Sequence, residues 1–401
     1  MTKKTQSTPL KGASMQHHNA AVLGASGLVA QRMQQRLAHH PWFRLTAVVG
    51  SKRTAGRALS SIEWNLSEER PELPDLTVLD AQQSDLLAHL QSLDISVVFS
   101  CLPASVADPL ELILSSTDIA VFSNASAFRR AAGIPLVIPD VNPSHMELFR
   151  SANHALACAT NCTLIPLAVP TAALNHAFGV RSVRMNSEQA LSGAGYELVL
   201  SQDALQGKHS SEIDGEAEKT AAELLHVLGD LIQAEQHQPS KTPSSHSKMS
   251  TPHTHVRAAD VAVEVACQRV TRIDGHQIFA QITLKQPTTL DAVMACFLNQ
   301  SFDEHIKACP SAPLQSIHLV DSIDTGDHLW SDGVSFERNP DPSVNLRAGM
   351  AVVVGSVKMI NPTTVGFSAY SHNTIRGAAG GTMLLAEQAY VEQRLPKQQQ
   401  A

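Results

Sequence analysis

Two residues of this chain carry the reactive chemistry that its local sequence allows. Cys162 lies in Ala159-Thr160-Asn161-Cys162-Thr163-Leu164, just before an apolar run with helical character. A thiol at a helix amino terminus sits in a field that favours thiolate, which is the nucleophilic form. His276 follows Gly275 in the run Cys267-Gln268-Arg269-Val270-Thr271-Arg272-Ile273-Asp274-Gly275-His276. An imidazole that projects from a glycine turn into a cleft can take and return protons near neutral pH. Arg269, earlier in the same run, offers a planar fork that suits a carboxylate. Each residue also has a plain structural reading: a small packing cysteine, one of 19 histidines, a solvated arginine. Local sequence leaves open whether Cys162 and His276 meet.

A second constellation points to a nucleotide. In AAVLGASGLVAQRM a short apolar strand runs into Gly24-Ala25-Ser26-Gly27, and Leu28, Val29 and Ala30 open a helical pattern. Gly24 permits a tight turn, Gly27 lets the backbone approach a pyrophosphate, and Ala30 lets the helix pack closely on a sheet. The unpaired N–H groups at the helix start then face the anion. An NAD site normally carries an acidic residue at the end of the next strand. Here the sequence reads Val49-Gly50-Ser51-Lys52-Arg53-Thr54, without a carboxylate. Hydroxyls and cations suit a 2′-phosphate, so NADP is the expected cofactor.

The elements that must position these residues follow from hydropathy. Apolar runs at 19–23, 45–49, 95–100, 119–123 and 135–138 read as strands, with a helix at 28–38 after the first. Strands that alternate with helices indicate βαβ units and a parallel sheet. After residue 158 the pattern changes to a helix behind Cys162 and strands at 180–188, 258–270 and 277–284. That grouping predicts an α+β unit on a mostly antiparallel sheet. The expected fold class is therefore α/β: a Rossmann-type dinucleotide-binding domain plus an α+β catalytic and dimerisation domain. The expected divisions are a disordered tail over 1–18, a nucleotide-binding domain over 19–158, and a catalytic and dimerisation domain over 159–358. A flexible insertion rich in Ser, Pro, His and Lys falls at about 234–257. Residues 359–401 form a C-terminal segment, its helix at 373–392 returning to the nucleotide-binding domain.

Composition narrows the class. The chain has 401 residues, enough for two domains, with 43% hydrophobic and 17% charged residues, as in an ordinary globular protein. The net charge of -7 argues against nucleic acid as a partner. No segment reaches the roughly 20 apolar residues of a membrane span, and the first twenty residues lack the apolar core of a secretory signal. The six cysteines include no CxxC pair, so no zinc ribbon is expected and reduced thiols in a cytoplasmic protein are. No acidic residue precedes Glu63, which leaves the amino-terminal region basic and suited to phosphate-bearing ligands.

The blocks VLGASGLVAQR, VVFSCLPASVA, FSNASAFRR with IPLVIPDVNPSH, TNCTLIPLAVP, QALSGAGY, DGEAEKT, RVTRIDGH and SHNTIRGAAGGTMLLAE run through nearly the whole chain. In type, order and spacing they resemble the aspartate-semialdehyde dehydrogenase family, in particular its fungal and archaeal branch. The resemblance implies NADPH-dependent reductive dephosphorylation of L-aspartyl 4-phosphate to L-aspartate 4-semialdehyde, a step toward lysine, threonine and methionine. It implies Cys162 as nucleophile, His276 as acid–base catalyst, Gln189 as the side chain that orients the acyl group, and Asn161 as a polariser of the thioester carbonyl. Arg269 would grip the substrate carboxylate, Glu216 the amino group, and Lys219 with Arg129 the phosphate. Gly24, Ala25, Ser26, Gly27, Leu28, Val29, Ser51, Arg53, Ser192, Gly193 and Asn373 would contact the cofactor. A homodimer or homotetramer built through the second domain's sheet is implied, with small-molecule substrates only and no metal.

The chain departs from that pattern in places. Val270-Thr271-Arg272 stands where the family has Val-Pro-Val, Leu164 follows Thr163 where a small residue is usual, and Pro340-Asp341-Pro342-Ser343-Val344-Asn345 replaces a stretch like PQPRLD. Insertions fall around 234–257 and 322–338. The alternatives are a related reductase of the N-acetylglutamyl-phosphate or malonyl-CoA type, and a non-catalytic NADP-binding homologue.

Overall fold

The computed structural model describes residues 17–151, 153–233 and 254–396. The expected amino-terminal tail up to residue 16 and the bulk of the expected insertion, 234–253, lie outside the described residues. Strands β1 (His18–Leu23), β2 (Phe43–Gly50), β3 (Leu79–Asp80), β4 (Ile95–Ser100), β5 (Ala120–Ser123) and β6 (Leu156–Cys158) form one sheet in the order β3-β2-β1-β4-β5-β6. Every pair in it is parallel. In such a sheet both faces are covered, so its strands are continuously apolar. Alternate residues of β1 divide between two cores. Ala20 and Val22 face helix α1 (Leu28–Leu37), and Ala21 and Leu23 join the core of α2 (Leu86–Ser92) and α3 (Ala104–Ser115). The strand order reverses between β1 and β4, and a crevice opens there beyond the carboxyl ends.

The stretch 135–138, expected as a strand, runs beside β6 without forming a ladder. Leu136 makes a single bridge to Cys158. Pro135 has no N–H to donate, and the sixth strand is β6 instead.

After β6 the chain crosses into a second layer through α4 (Leu164–Phe178), which is buried over most of its length. The second sheet contains β7 (Val180–Gln189), β10 (Ala262–Arg269), β11 (His276–Leu284), β12 (Ile317–Leu319), β13 (Val352–Asn361) and β14 (Thr364–Ser371), in the order β10-β7-β11-β14-β13-β12. Its three inner pairings are antiparallel and its two outer ones parallel, so the sheet is mixed. Short helices α5 (Tyr196–Val199) and α6 (Gln202–Leu205) follow β7, and α7 (Glu216–Val227) precedes the hairpin of β8 (Asp230–Gln233) and β9 (Thr254–Arg257). The expected strand 258–270 starts only at β10, because Ala259 turns aside to bond the Leu225 carbonyl, and 254–257, expected within the flexible insertion, form β9. Helix α8 (Leu290–Asn299) joins α4 on one face of the sheet, and α9 (Glu304–Lys307) follows. The other face carries the exposed side chains Phe279 and Ile360.

The expected boundary at residue 359 falls inside the β13–β14 hairpin, whose strands pair antiparallel. The chain returns to the first sheet only after Ser371. It does so through a π-helical turn, Ile375–Ala379, and then α10 (Gly380–Val391), whose Met383, Leu385, Ala386 and Ala389 enter the core with β1.

An ion pair between Arg376 and Asp140 anchors this return, both side chains being 1% exposed. The Asp140 carbonyl also accepts from Gln300 Nε2. Removing one member of such a pair leaves an unpaired charge in a low dielectric. Asp140→Ala is expected to lower stability in urea unfolding by about 3–5 kcal/mol. The double substitution with Arg376→Met should recover part of that loss, since it leaves no buried charge.

Candidate active site

The register of the second sheet brings four chain ends to one place. Gln189 closes β7, and Arg269 closes β10 directly beside it in a parallel pairing. His276 opens β11, antiparallel to β7, with Gln277 opposite Glu188. Ser371 closes β14 opposite His276, so Asn373 emerges at the same end. The turn before α4 faces these ends, because the chain enters α4 directly from the edge strand of the first sheet. Cys162 Sγ lies 3.2 Å from His276 Nε2.

The hydrogen bonds around the imidazole select its tautomer. The Ala190 N–H donates to Nδ1 at 3.1 Å, so the proton of the neutral ring sits on Nε2 and faces the sulfur. His276 is 0% exposed. Burial pushes its pKa down to about 3, and Arg269 and Arg272 push the same way. Burial pushes the Cys162 thiol up to about 12; Glu216 adds to the rise, while Arg129, Arg269 and the cysteine's own backbone N–H oppose it. The resting pair is therefore a thiol beside a neutral imidazole.

Two glycines permit the close approach. A Cβ on Gly193 would fall 2.7 Å from Arg269 Nη1 and 3.2 Å from His276 Nε2. A Cβ on Gly377, in the π-helical turn, would fall 2.6 Å from the Cys162 Cβ.

A cavity of about 320 Å³ opens beside the sulfur. Cys162, Asn161, Arg129, Glu216, Lys219 and Asn373 all line it, as do Val29, Ser192 and Gly193. Gln189 and His276 stand behind the wall as buried side chains. Arg269 is braced there too, donating from Nη1 to the Ala190 carbonyl at 2.8 Å. Asn161 has a divided role. Its Oδ1 accepts from the Leu164 N–H at 2.8 Å, which caps α4, while its buried Nδ2 has no partner among the described residues. Asn373 joins two turns, accepting from the Gly275 N–H at 2.7 Å and donating to Ser192 Oγ at 2.8 Å.

Glu223 is a site residue that sequence reasoning missed. Its Oε1 accepts from Arg129 Nη1 at 3.1 Å and its Oε2 from the Asn161 N–H at 2.7 Å. One carboxylate thus pins both the cation and the turn that carries Cys162. The available signal was spacing: Glu216, Lys219 and Glu223 share one face of α7. Thr163 was missed as well, and its Oγ1 donates to Glu216 Oε1 at 3.2 Å.

On the other side of the crevice Gly24 has φ +108°, and a Cβ there would meet the Cys101 carbonyl at 3.2 Å and Ala30 at 3.3 Å. Ala25 is buried, and Ser26 and Gly27 lie at the surface of the turn. Gly27 caps α1 with open space around its Cα, and no acid lies in the first helical turn. The N–H groups from Leu28 onward can therefore meet an anion without a Cβ or a carboxylate in the way. Ser51 and Arg53 are exposed just beyond the end of β2 and do not line the cavity beside the sulfur.

Comparisons with known proteins agree with this arrangement. The family model "Semialdehyde dehydrogenase, NAD binding domain" matches residues 19–149, and "Semialdehyde dehydrogenase, dimerisation domain" matches residues 172–376. The chain is 31% identical to the curated aspartate-semialdehyde dehydrogenase of Archaeoglobus fulgidus, over 92% of this chain and 97% of that one. It is 32% identical to the Aspergillus fumigatus enzyme of the same name, over 95% and 99%. The crystal structure of the Candida albicans aspartate-semialdehyde dehydrogenase with NADP superimposes with a TM-score of 0.73 at 27% identity, covering 94% of this chain and 99% of that one. Model matches over both sheets, and relatives of this identity over almost the entire length, show that the chain belongs to the aspartate-semialdehyde dehydrogenase family.

Proposed function

We propose that this protein reduces L-aspartyl 4-phosphate to L-aspartate 4-semialdehyde with NADPH, carrying the acyl group on Cys162. The observation that carries this reading is the 3.2 Å contact of Cys162 Sγ with His276 Nε2 at the wall of a cavity shared by both sheets. The names of its relatives support the substrate, and the glycine turn with its acid-free surroundings supports a dinucleotide phosphate. Ser51, Lys52 and Arg53 are the residues that would hold the 2′-phosphate.

In the biosynthetic direction the thiol gives its proton to a non-bridging oxygen of the bound acyl phosphate, because Nε2 already carries one, and the sulfur attacks the acyl carbon as thiolate. A C–S bond forms and the carbonyl pair moves to oxygen. The Asn161 Nδ2 and the His276 Nε2–H are the donors that can meet that oxyanion. The pair returns, the bond to phosphate breaks, and the thioester remains. Phosphate departs carrying the proton that came from the thiol and lies against Lys219 and Arg129, while the Nε2 proton stays on the ring. The cofactor, when bound, supplies hydride to the thioester carbon. The C–S bond then breaks, its pair returns to Sγ, and the semialdehyde is released. Arg269 would hold the substrate carboxylate and Glu216 its amino group, while Gln189 would orient the acyl carbon from behind the wall.

The open face of the second sheet, with Phe279 and Ile360 exposed, is the surface we assign to a homodimer, and a homotetramer would pair such dimers. The matched dimerisation-domain model supports this assignment. Among the described residues no helix is long and apolar enough to cross a membrane. Six free cysteines support a reducing compartment and hence the cytoplasm.

The direct test is phosphate-dependent oxidation of aspartate semialdehyde, followed by absorbance of the reduced cofactor, in a panel that includes N-acetylglutamyl semialdehyde and malonyl semialdehyde with CoA. Turnover is expected for aspartate semialdehyde with phosphate and is expected to vanish in Cys162→Ala; turnover that survives this change removes the thioester mechanism. Arg53→Ala should raise the KM for NADP by about tenfold while leaving that for NAD nearly unchanged, as loss of one charge-assisted contact implies. A third test concerns the thiol. Because the Glu216 carboxylate raises the thiol pKa, Glu216→Gln should move Cys162 alkylation by iodoacetamide to lower pH, with a rate at pH 8 about threefold higher. An unchanged alkylation profile would show that the carboxylate does not act on the sulfur.

A further inference from the structure

The turn that delivers His276 carries a cation that the proposed reaction does not use. Residues 270–273 run against the end of β7 through three backbone bonds: Val270 N–H to the Gln189 carbonyl, Leu191 N–H to the Arg272 carbonyl, and Ser192 N–H to the Ile273 carbonyl. The Arg272 side chain is 19% exposed and folds back over this turn. Its Nε donates to the Gly275 carbonyl at 2.9 Å and its Nη2 to the Glu188 carbonyl at 3.1 Å. The first acceptor belongs to the peptide that leads into His276, and the second lies one residue before Gln189. The guanidinium also sits over the Tyr370 ring, 5.5 Å from its centroid. Tyr370 in turn donates to the Thr325 carbonyl at 2.9 Å, within the 322–338 insertion. A Cβ on Gly275 would lie 1.9 Å from the Tyr370 oxygen, so the turn is pressed on that ring.

We propose that Arg272 is a positioning residue for His276. Its guanidinium ties the peptide ahead of the imidazole to the end of β7, so that Nδ1 stays against the Ala190 N–H and Nε2 against the Cys162 sulfur. The reason is geometric. The Ala190 N–H and the imidazole are on different chain segments, and Arg272 bonds both through their backbone carbonyls, beside Asn373, which joins the Gly275 N–H to Ser192 Oγ. Arg269 braces the same corner, but through the Ala190 carbonyl, which belongs to only one of the two segments. The charges around His276 are Cys162 from the turn before α4, Arg269 from β10, Arg272 and Asp274 from its own turn, Glu188 from β7 and His372 after β14. Arg272 opposes protonation of the ring as well as fixing it.

This inference rests on the thiol–imidazole pair of the proposed function, so its test has one arm independent of turnover. Arg272→Met removes both carbonyl bonds and the charge, and Arg272→Lys retains the charge with one compact donor. In phosphate-dependent oxidation of the semialdehyde, Arg272→Met is expected to lower kcat by about 10- to 100-fold, the size expected for a small displacement of a catalytic group. KM for NADP should change less than about twofold, because the cofactor crevice is untouched. Arg272→Lys should fall between the two. Alkylation of Cys162 by iodoacetamide is the independent arm. With the arginine's charge removed the imidazole is protonated at higher pH, and imidazolium beside the sulfur favours thiolate. Arg272→Met should therefore gain alkylation on the acid side, just above the ring's present pKa of about 3, and Arg272→Lys should not. Equal kcat in all three proteins with identical alkylation profiles would overturn the proposal. So would a loss shared equally by kcat and by the melting temperature in both variants, since that describes general destabilisation. If the unaltered protein does not turn over the semialdehyde, the functional reading fails while the alkylation arm still decides on Arg272.

Discussion

A 3.2 Å approach between a sulfur and an imidazole nitrogen depends here on strand register more than on any single side chain. β7 and β10 end together because they are parallel and in step, Gln189 beside Arg269. β11 begins where β7 ends because the two are antiparallel. A slip of one residue in that pairing would send every side chain of β11 to the opposite face. His276 would then point away from α4, and no adjustment of its rotamer would restore contact with Cys162. The apolar alternation of β11, buried at Ile278, Ala280 and Ile282, is therefore also what aims the imidazole.

Charge is arranged around that contact by committed pairs. Arg129 is held by Glu223 and by the Asn124 carbonyl, so it meets a ligand as a fixed cation and not as a flexible one. Glu223 bonds the Asn161 N–H with its other oxygen, which ties the same cation to the cysteine turn. Arg376 and Asp140 hold the π-helical turn that lets Gly377 pass the cysteine. Such buried pairs add little net stability, but losing one member is costly, so they restrict the chain to one arrangement. With the thiol and the imidazole both neutral at rest, Arg129 and Lys219 in the cavity lining provide the field that a doubly anionic substrate would meet.

Residues 322–338, near the carboxyl end, have a structural use. Trp330 of the 322–338 stretch is 8% exposed and packs edge-on against His372, and the Arg32 guanidinium lies 5.6 Å from the centre of its ring. Arg32 pairs with Glu68 and approaches Asp274 on the histidine turn. This stretch thus fills the space between the first helix of the nucleotide-binding layer and the turn that carries His276.

The amino-acid order by itself determined the local features. An apolar run followed by Gly24-Ala25-Ser26-Gly27 and a helical pattern can hardly form anything but a strand, a tight turn and a helix, because backbone sterics and period decide each. The absence of a carboxylate after β2 is likewise a fact of composition, readable without coordinates. What the sequence read alone left out was long-range pairing. β13 and β14 escaped notice, 135–138 was read as the strand that 156–158 supplies, and Glu223 was not singled out. Only the tertiary structure decided that Cys162 and His276, 114 positions apart in the chain, become neighbours. Strand order and register arise from the sum of many weak burial and hydrogen-bonding terms spread over the whole fold, and no short window of sequence contains that sum.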